Sequence, residues 1–162
     1  MAGRVRRSVL DPQQQRHYNW EHQYRTIRTG APLTPGRLHK LARDIAKHYR
    51  IPKPRLEVVS FADKDTLAQA DGGECVEFSK KHKAWTPLVV AHEMAHITQQ
   101  RYGMYPRHSP HGRQFAGIML YIMHKFGIMP AQAAMPSMSY GKVRYYDPHR
   151  CRPAGIRNWY KK

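Results

Sequence analysis

Two histidines and a glutamate in the stretch AHEMAHITQQ, residues 91–100, have the spacing of a metal-dependent hydrolase site. His92 and His96 are four positions apart, so in a helix they lie on one face and can share a metal ion. Glu93 follows the first histidine and can reach a water molecule beside that metal. Zinc lowers the pKa of a bound water to about 7, and a carboxylate can then accept the proton. The pattern H-E-x-x-H therefore indicates zinc-dependent hydrolysis, provided that the segment is helical and a third ligand exists.

The residues before the motif predict the helix that this chemistry requires. Thr86 can cap the free N–H groups of a helix, and Pro87 loses no hydrogen bond at the first helical position. The apolar run at 88–90 is typical of a helix in the centre of a domain. We therefore expect a buried helix over about 87–102 to carry the motif.

A catalytic zinc site needs a third protein ligand and leaves one position open. No glutamate follows Glu93, and position 102 is Tyr where an extended motif would place a third histidine. His111 is the best placed candidate, because Ser109-Pro110 predicts a helix start that could return it to the first two ligands. His108 is the second choice, as an alternate metal ligand or a transition-state residue. The other downstream candidates, less well placed, are His124, His149 and Asp147.

The same combination of a capping residue and proline marks four helix starts, and glycines mark several helix ends. The starts are Asp11-Pro12, Thr34-Pro35, Thr86-Pro87 and Ser109-Pro110, which predict helices over about 12–28, 35–50, 87–102 and 110–126. The ends are Gly30, Gly103 and Gly127. Segments rich in β-formers predict strands at 55–61 and 74–80. The first helix carries one face suited to docking, made of His17, Trp20, Tyr24 and Ile27. Together these elements predict one α+β domain, with a short β-sheet packed on the central helix.

The charge of the chain favours a polyanionic partner. Lys and Arg total 28 against 11 Asp and Glu, a formal net charge of +17, and nucleic acid is the commonest intracellular polyanion. After Gly127 the sequence lacks a helical period, so we expect an extended basic tail in which cations alternate with aromatic rings. The predicted nucleic-acid contacts are Arg4, Arg6, Arg7, Lys142, Arg144, Arg150, Arg152 and Arg157. The alternatives are a tail that wraps the domain, a solubilising surface, and binding to a membrane surface or an acidic partner.

The cysteines and the lengths of the apolar segments indicate where in the cell the protein is expected. Cys75 and Cys151 are expected to be free thiols, which fits a reducing compartment. We see no secretory signal and no stretch long enough to span a bilayer. The expected location is therefore cytoplasm, nucleoid or nucleus, with a virion as a further option.

The sequence resembles one known family through two motifs. HEMAH at 92–96 is followed, after fourteen residues, by HGRQF at 111–115. This pair resembles the SprT-like zinc metallopeptidases, the family that includes Spartan, whose signature joins H-E-x-x-H to a third histidine in H-G-x-x-[FW]. The resemblance covers about 34–127 and implies a small zincin-like fold. It also implies zinc ligands and a general base, which are His92, His96, His111 and Glu93. Family members typically bind DNA, and eukaryotic ones degrade proteins crosslinked to DNA.

We accordingly expect a zinc metalloendopeptidase domain at 34–127, flanked by a basic extension at 1–33 and a basic aromatic tail at 128–162. The protein substrate is expected to be associated with DNA and to pair with the edge of strand 74–80. The candidates for stabilising the oxyanion are Tyr102, His108, Tyr140 and Tyr145. The tail has one cysteine and cannot form the zinc ribbon that many family members carry. The alternative function is a zinc-containing nucleic-acid-binding or assembly protein without turnover, such as a phage or virion component held in a larger assembly by its tails.

Overall fold

The computed structural model describes residues 12–27, 32–81, 85–104, 109–129 and 131–158. Within these ranges the chain forms six α-helices, a short 3₁₀ helix and one three-stranded sheet, which confirms the α+β class. The helices are α1 (Pro12–Ile27), α2 (Pro35–Tyr49), α3 (Pro87–Arg101), α4 (Arg113–Lys125), α5 (Ala131–Tyr140) and α6 (Pro153–Asn158), and the 3₁₀ helix is Pro148–Cys151. The strands are β1 (Arg55–Val59), β2 (Ala68–Asp71) and β3 (Cys75–Ser79).

The sheet has the order β1-β3-β2, so β3 is its central strand. β1 runs parallel to β3 with Arg55 opposite Cys75, and β2 runs antiparallel to β3 with Ala68 opposite Phe78. The expectation that the strand at 74–80 offers a free edge is therefore wrong, because both of its edges are paired. The edge strands of this sheet are β1 and β2. The sequence analysis did not predict β2, because its residues, AQAD, are poor β-formers.

The predicted helix starts are confirmed at two positions and wrong at a third. The hydroxyl of Thr34 accepts a hydrogen bond from the Arg37 N–H, and that of Thr86 accepts one from Val89. By contrast, Ser109-Pro110 does not begin a helix. Residues 109–112 form a turn, in which the Gly112 N–H donates to the Ser109 carbonyl, and α4 begins after it. Asp11 and Gly30 lie outside the described residues.

The C-terminal range corrects a second expectation, since its described part is mostly helical and not extended. Pro148 and Pro153 occupy first-turn positions of their helices, where a missing N–H costs nothing. Asp147 caps the 3₁₀ helix by accepting a hydrogen bond from the His149 N–H. These are the same signals that predicted the earlier helices. Pro136, by contrast, lies in the middle of α5.

One hydrophobic core unites the described chain. α3 lies at its centre and packs against α2, α4 and β2. Buried residues from outside the range 34–127 join the same core, namely Trp20 on the N-terminal side and Met129, Ala134, Met138, Val143, Cys151 and Ile156 on the C-terminal side. The C-terminal segment therefore wraps the domain, which was one of the predicted alternatives. Cys75 and Cys151 are both buried free thiols. Among the described residues, no helix has the length and apolar character needed to cross a membrane.

Candidate metal centre

Three histidine side chains converge on one point between α3 and the turn before α4. His92 and His96 come from successive turns of α3, and His111 comes from the turn at 109–112. Their Nε2 atoms form a triangle with sides of 3.1 Å (His92 to His96), 3.2 Å (His96 to His111) and 3.4 Å (His92 to His111). The three residues predicted as metal ligands thus lie together, each with its Nε2 facing the other two.

Hydrogen bonds alone do not account for this triangle. A neutral imidazole nitrogen either donates or accepts, so among three mutually close nitrogens at least one pair has the same role. A metal ion that accepts all three lone pairs removes the conflict. In a tetrahedral zinc site with Zn–N distances of about 2.0–2.1 Å, ligand nitrogens lie about 3.3–3.4 Å apart. The observed separations are close to this value, so the donor set fits a divalent metal such as zinc.

The aromatic residue that ends the second motif, Phe115, packs against all three histidines. The Phe115 ring stacks on the His96 ring with centroids 4.3 Å apart. It also contacts the edges of His92 and His111, each at 5.0 Å. Phe115 is fully buried and forms an apolar floor beneath the triangle. Because α4 places Phe115 only four residues after His111, the turn and the helix together fix the third ligand against the first two.

Burial also sets the protonation of the triangle. Burial lowers the pKa of His111 to about 3, with smaller contributions from His92 and His17. It lowers the pKa of His96 well below its ordinary value, again with a contribution from His92. Both imidazoles are therefore neutral at pH 7, which is the form that binds a metal.

A carboxylate from α1 reaches the back of the triangle. Glu21 is buried, with 2% of its side chain exposed, and its Oε1 contacts the Nδ1 of His92. The same Oε1 lies 3.2 Å from the Nδ1 of His17. Burial alone would raise the pKa of the Glu21 carboxyl group, but His92 and His17 outweigh burial and lower it below its ordinary value. With Nδ1–H of His92 donating to this carboxylate, the Nε2 lone pair of His92 is left to face the centre of the triangle.

His17, Glu21 and His92 form a second group whose ligand atoms lie within 4.8 Å of one another. This group shares His92 with the triangle and is buried throughout. The His17 ring packs 5.0 Å from Phe115, and its Nε2 has no hydrogen-bond partner among the described residues. In this second group the Nδ1 of His92 already contacts the Glu21 carboxylate, whereas the Nε2 atoms of the triangle face one another.

Two clefts open onto the triangle, and Glu93 lines both. The larger, of about 510 Å³, lies between α1 and the loop that precedes β2, and the smaller, of about 260 Å³, lies along β2. Tyr18, Ala68, His92 and Glu93 line both clefts. The Tyr18 ring stacks on His92 with centroids 6.0 Å apart and meets the His111 ring at 5.0 Å. Glu93 is therefore buried beside the triangle yet accessible from both clefts.

The remaining predicted residues lie elsewhere or outside the described ranges. His108, Arg4, Arg6 and Arg7 are outside them, as are the side chains of Tyr24 and Ile27. The five C-terminal cations are all exposed; they are Lys142, Arg144, Arg150, Arg152 and Arg157. Of the other downstream ligand candidates, His124 and His149 are exposed and Asp147 caps the 3₁₀ helix. The three tyrosines proposed for the oxyanion do not line either cleft, and the hydroxyl of Tyr102 donates to the Tyr49 carbonyl.

The sequence analysis missed Glu21 and Tyr18, which come from α1. A local signal for Glu21 exists, since it stands four residues after His17 and therefore shares the helix face with His17 and Trp20. A carboxylate on the face that was predicted to dock could have indicated a buried contact, because an acidic side chain is rarely buried without a partner.

Comparisons of the chain with protein families, with curated proteins and with solved structures find no match.

Proposed function

We propose that the protein is a zinc-dependent metallopeptidase of the SprT-like kind, with a small zincin-like fold. One observation carries the proposal: three imidazole nitrogens converge at 3.1–3.4 Å, and Glu93, the next residue along α3 from one of them, lines both clefts. The spacing of the two histidine motifs, which resembles that of the SprT-like family, supports the same assignment.

Each side chain has its own role in the proposed reaction. His92, His96 and His111 would hold zinc, which when bound polarises a water molecule and the substrate carbonyl. Glu93 accepts the proton of the attacking water and delivers it to the leaving amine. Glu93 follows His92 directly in α3, and both clefts reach it, so a water molecule and a substrate can approach its side chain there.

The edge of the sheet offers the place for an extended peptide. Among the described strands β2 pairs with β3 alone, and Ala68, Gln69 and Ala70 line the smaller cleft together with His92 and Glu93. A peptide that adds to the sheet beside β2 would pair through its backbone and present its scissile bond to Glu93. Backbone pairing gives little selectivity for side chains, so this arrangement suits a protein substrate of varied sequence.

The charge supports a substrate that is bound to DNA. The formal net charge is +17, and the five exposed C-terminal cations lie on the segment that packs against the same core as α3. Contacts of these cations with phosphate groups would hold the enzyme on the nucleic acid that also carries its substrate. The second candidate function, a zinc-containing nucleic-acid-binding or assembly protein, uses the same metal and the same cations without turnover.

The test is Glu93→Gln in the full chain, because it removes the base and keeps the shape of a buried residue. Zinc content is measured by atomic emission, and cleavage of an unfolded basic test protein is followed with and without duplex DNA. We expect zinc content to stay at the wild-type level and cleavage to fall at least about 100-fold. The matched control is Glu57→Gln on the exposed strand β1, which should cleave at the wild-type rate.

The outcomes separate the two functions. Cleavage that is equal in the wild type and in Glu93→Gln refutes the peptidase. A wild-type protein that binds one zinc and DNA but cleaves nothing supports the assembly or binding function. A wild-type protein that binds no zinc refutes both.

A further inference from the structure

α1 places the buried carboxylate of Glu21 against His92, a predicted metal ligand that is distant in the sequence. Glu21 and His92 are 71 residues apart, yet the Oε1 of Glu21 contacts the Nδ1 of His92, the ring nitrogen that faces away from the triangle. Both side chains are buried, so the contact is shielded from water and from salt.

Such a contact has a defined effect on an imidazole ligand. A carboxylate that accepts the Nδ1–H fixes the tautomer with its lone pair on Nε2, holds the ring at one angle and makes Nε2 more basic. The triangle needs all three effects at His92, because its Nε2 must lie within 3.4 Å of two other nitrogens without a proton between them.

The helix that carries Glu21 is held in place from the C-terminal side. The indole N–H of Trp20 donates to the Ser137 hydroxyl at 2.9 Å. The amide of Gln13 pairs twice with the backbone of Arg144: its Nε2 donates to the Arg144 carbonyl at 2.8 Å, and its Oε1 accepts from the Arg144 N–H at 3.3 Å. Both contacts lie on the N-terminal side of Glu21, and they hold α1 against the C-terminal segment.

We propose that Glu21 is a positioning residue of the metal centre, and that α1 is therefore part of the site and not a peripheral extension. This inference rests on the proposed metal site. It adds a residue that neither histidine motif contains. It predicts that metal affinity depends on a contact made outside the range 34–127.

The experiment measures zinc affinity in the folded full-length chain by competition with a chromophoric chelator. It also records the visible absorption of the Co²⁺ form, which reports ligand geometry. Glu21→Gln keeps the shape of the side chain and removes its charge, and Glu21→Ala removes the acceptor. We expect both variants to bind zinc about 10–100-fold more weakly, with the larger loss in Glu21→Ala and a changed Co²⁺ spectrum.

Trp20→Phe separates the docking of α1 from the effect of the carboxylate, since it removes one of the hydrogen bonds that hold α1 and leaves Glu21 and the contacts of Gln13 unchanged. We expect its zinc affinity to stay within about threefold of the wild type, which is smaller than the loss expected on removing an outer partner of a ligand. Circular dichroism of the metal-free proteins confirms that each variant is folded at the temperature of the titration.

Two results would overturn the inference. One is wild-type zinc affinity and an unchanged Co²⁺ spectrum in Glu21→Ala. This result would mean that Glu21 accepts hydrogen bonds from buried imidazoles without affecting the metal site. The other is an equal loss of affinity in Trp20→Phe and Glu21→Gln, which would assign the effect to helix docking alone. Failure of the proposed metal site is recognised separately, because the wild type itself would then bind no zinc.

Discussion

Zinc should stabilise the folded chain, and His111 should be required for this effect. A ligand that binds only the folded state at 100 times its dissociation constant adds about 2.7 kcal/mol. For a chain of 162 residues, where 1 kcal/mol corresponds to about 2–4 °C, the expected rise in Tm is about 5–11 °C. The three ligand nitrogens already converge at 3.1–3.4 Å, and burial lowers the pKa values of His96 and His111, so little of this free energy is spent on rearranging the ligands or on deprotonating those two.

His111→Ala removes one of the three nitrogens. Loss of an outer partner weakens a metal site by about 10–100-fold, and loss of a ligand costs at least the upper value. At the same zinc concentration, binding that is 100-fold weaker adds only about 0.4 kcal/mol, a rise in Tm of about 1–2 °C. The substitution also changes packing around Phe115, but this change affects the metal-free protein as well and cancels when the zinc-induced shift is compared.

The assay is thermal unfolding followed by circular dichroism, with chelator and with a fixed free zinc concentration buffered by that chelator. His124→Ala on the exposed face of α4 is the control and should keep the full shift. An unreduced shift in His111→Ala would show that zinc is held without His111. The third ligand would then have to be sought at His108, and the geometric argument for the triangle would be wrong.

Two further predictions concern packing and charge. Gly117 faces the C-terminal segment, and a Cβ there would lie 2.7 Å from the Cys151 Sγ and 2.8 Å from the Tyr146 carbonyl oxygen. Gly117→Ala should therefore lower the free energy of unfolding by about 1–3 kcal/mol in urea titration, whereas Gly36→Ala, with open space around it, should not lower it. An equal effect of the two would contradict the packing described. Replacing the five C-terminal cations by Gln should make the slope of log affinity for duplex DNA against log salt shallower by up to about 4.5. A wild-type slope near zero would mean that the charge only solubilises the protein.

Local signals were sufficient to predict the helices that carry the site. Thr86-Pro87 and the apolar run after it determine where α3 begins, because capping and the tolerance of proline depend on neighbours within one turn. The same argument worked for α2. It failed for Ser109-Pro110, where the chain makes a turn first, and the helix begins only after Gly112. The choice of His111 as the best placed ligand rested on that predicted boundary, yet the turn brings its side chain to His92 and His96 all the same.

Non-local contacts explain what the sequence could not provide. β2 consists of AQAD, and its strand conformation comes from pairing with β3 and not from its own propensity. The contact of Glu21 with His92 crosses 71 residues and has no fixed spacing that a motif could record. The prediction of an extended C-terminal tail was wrong for a different reason, because it rested on the missing helical period, whereas two prolines in this segment stand at helix starts.

The attachment of α1 to the C-terminal segment has a consequence for the order of assembly. The ribosome releases the N-terminus first, yet Ser137 and Arg144, which hold α1, are made after both histidine motifs. The pairing of Gln13 with Arg144 closes a loop of 131 residues, the slowest kind of contact to form. A nascent chain therefore contains Glu21 and all three histidines before the residues that hold α1 have been made. The centre reaches its finished geometry only after those residues emerge, so shorter chains carry the motif without that geometry.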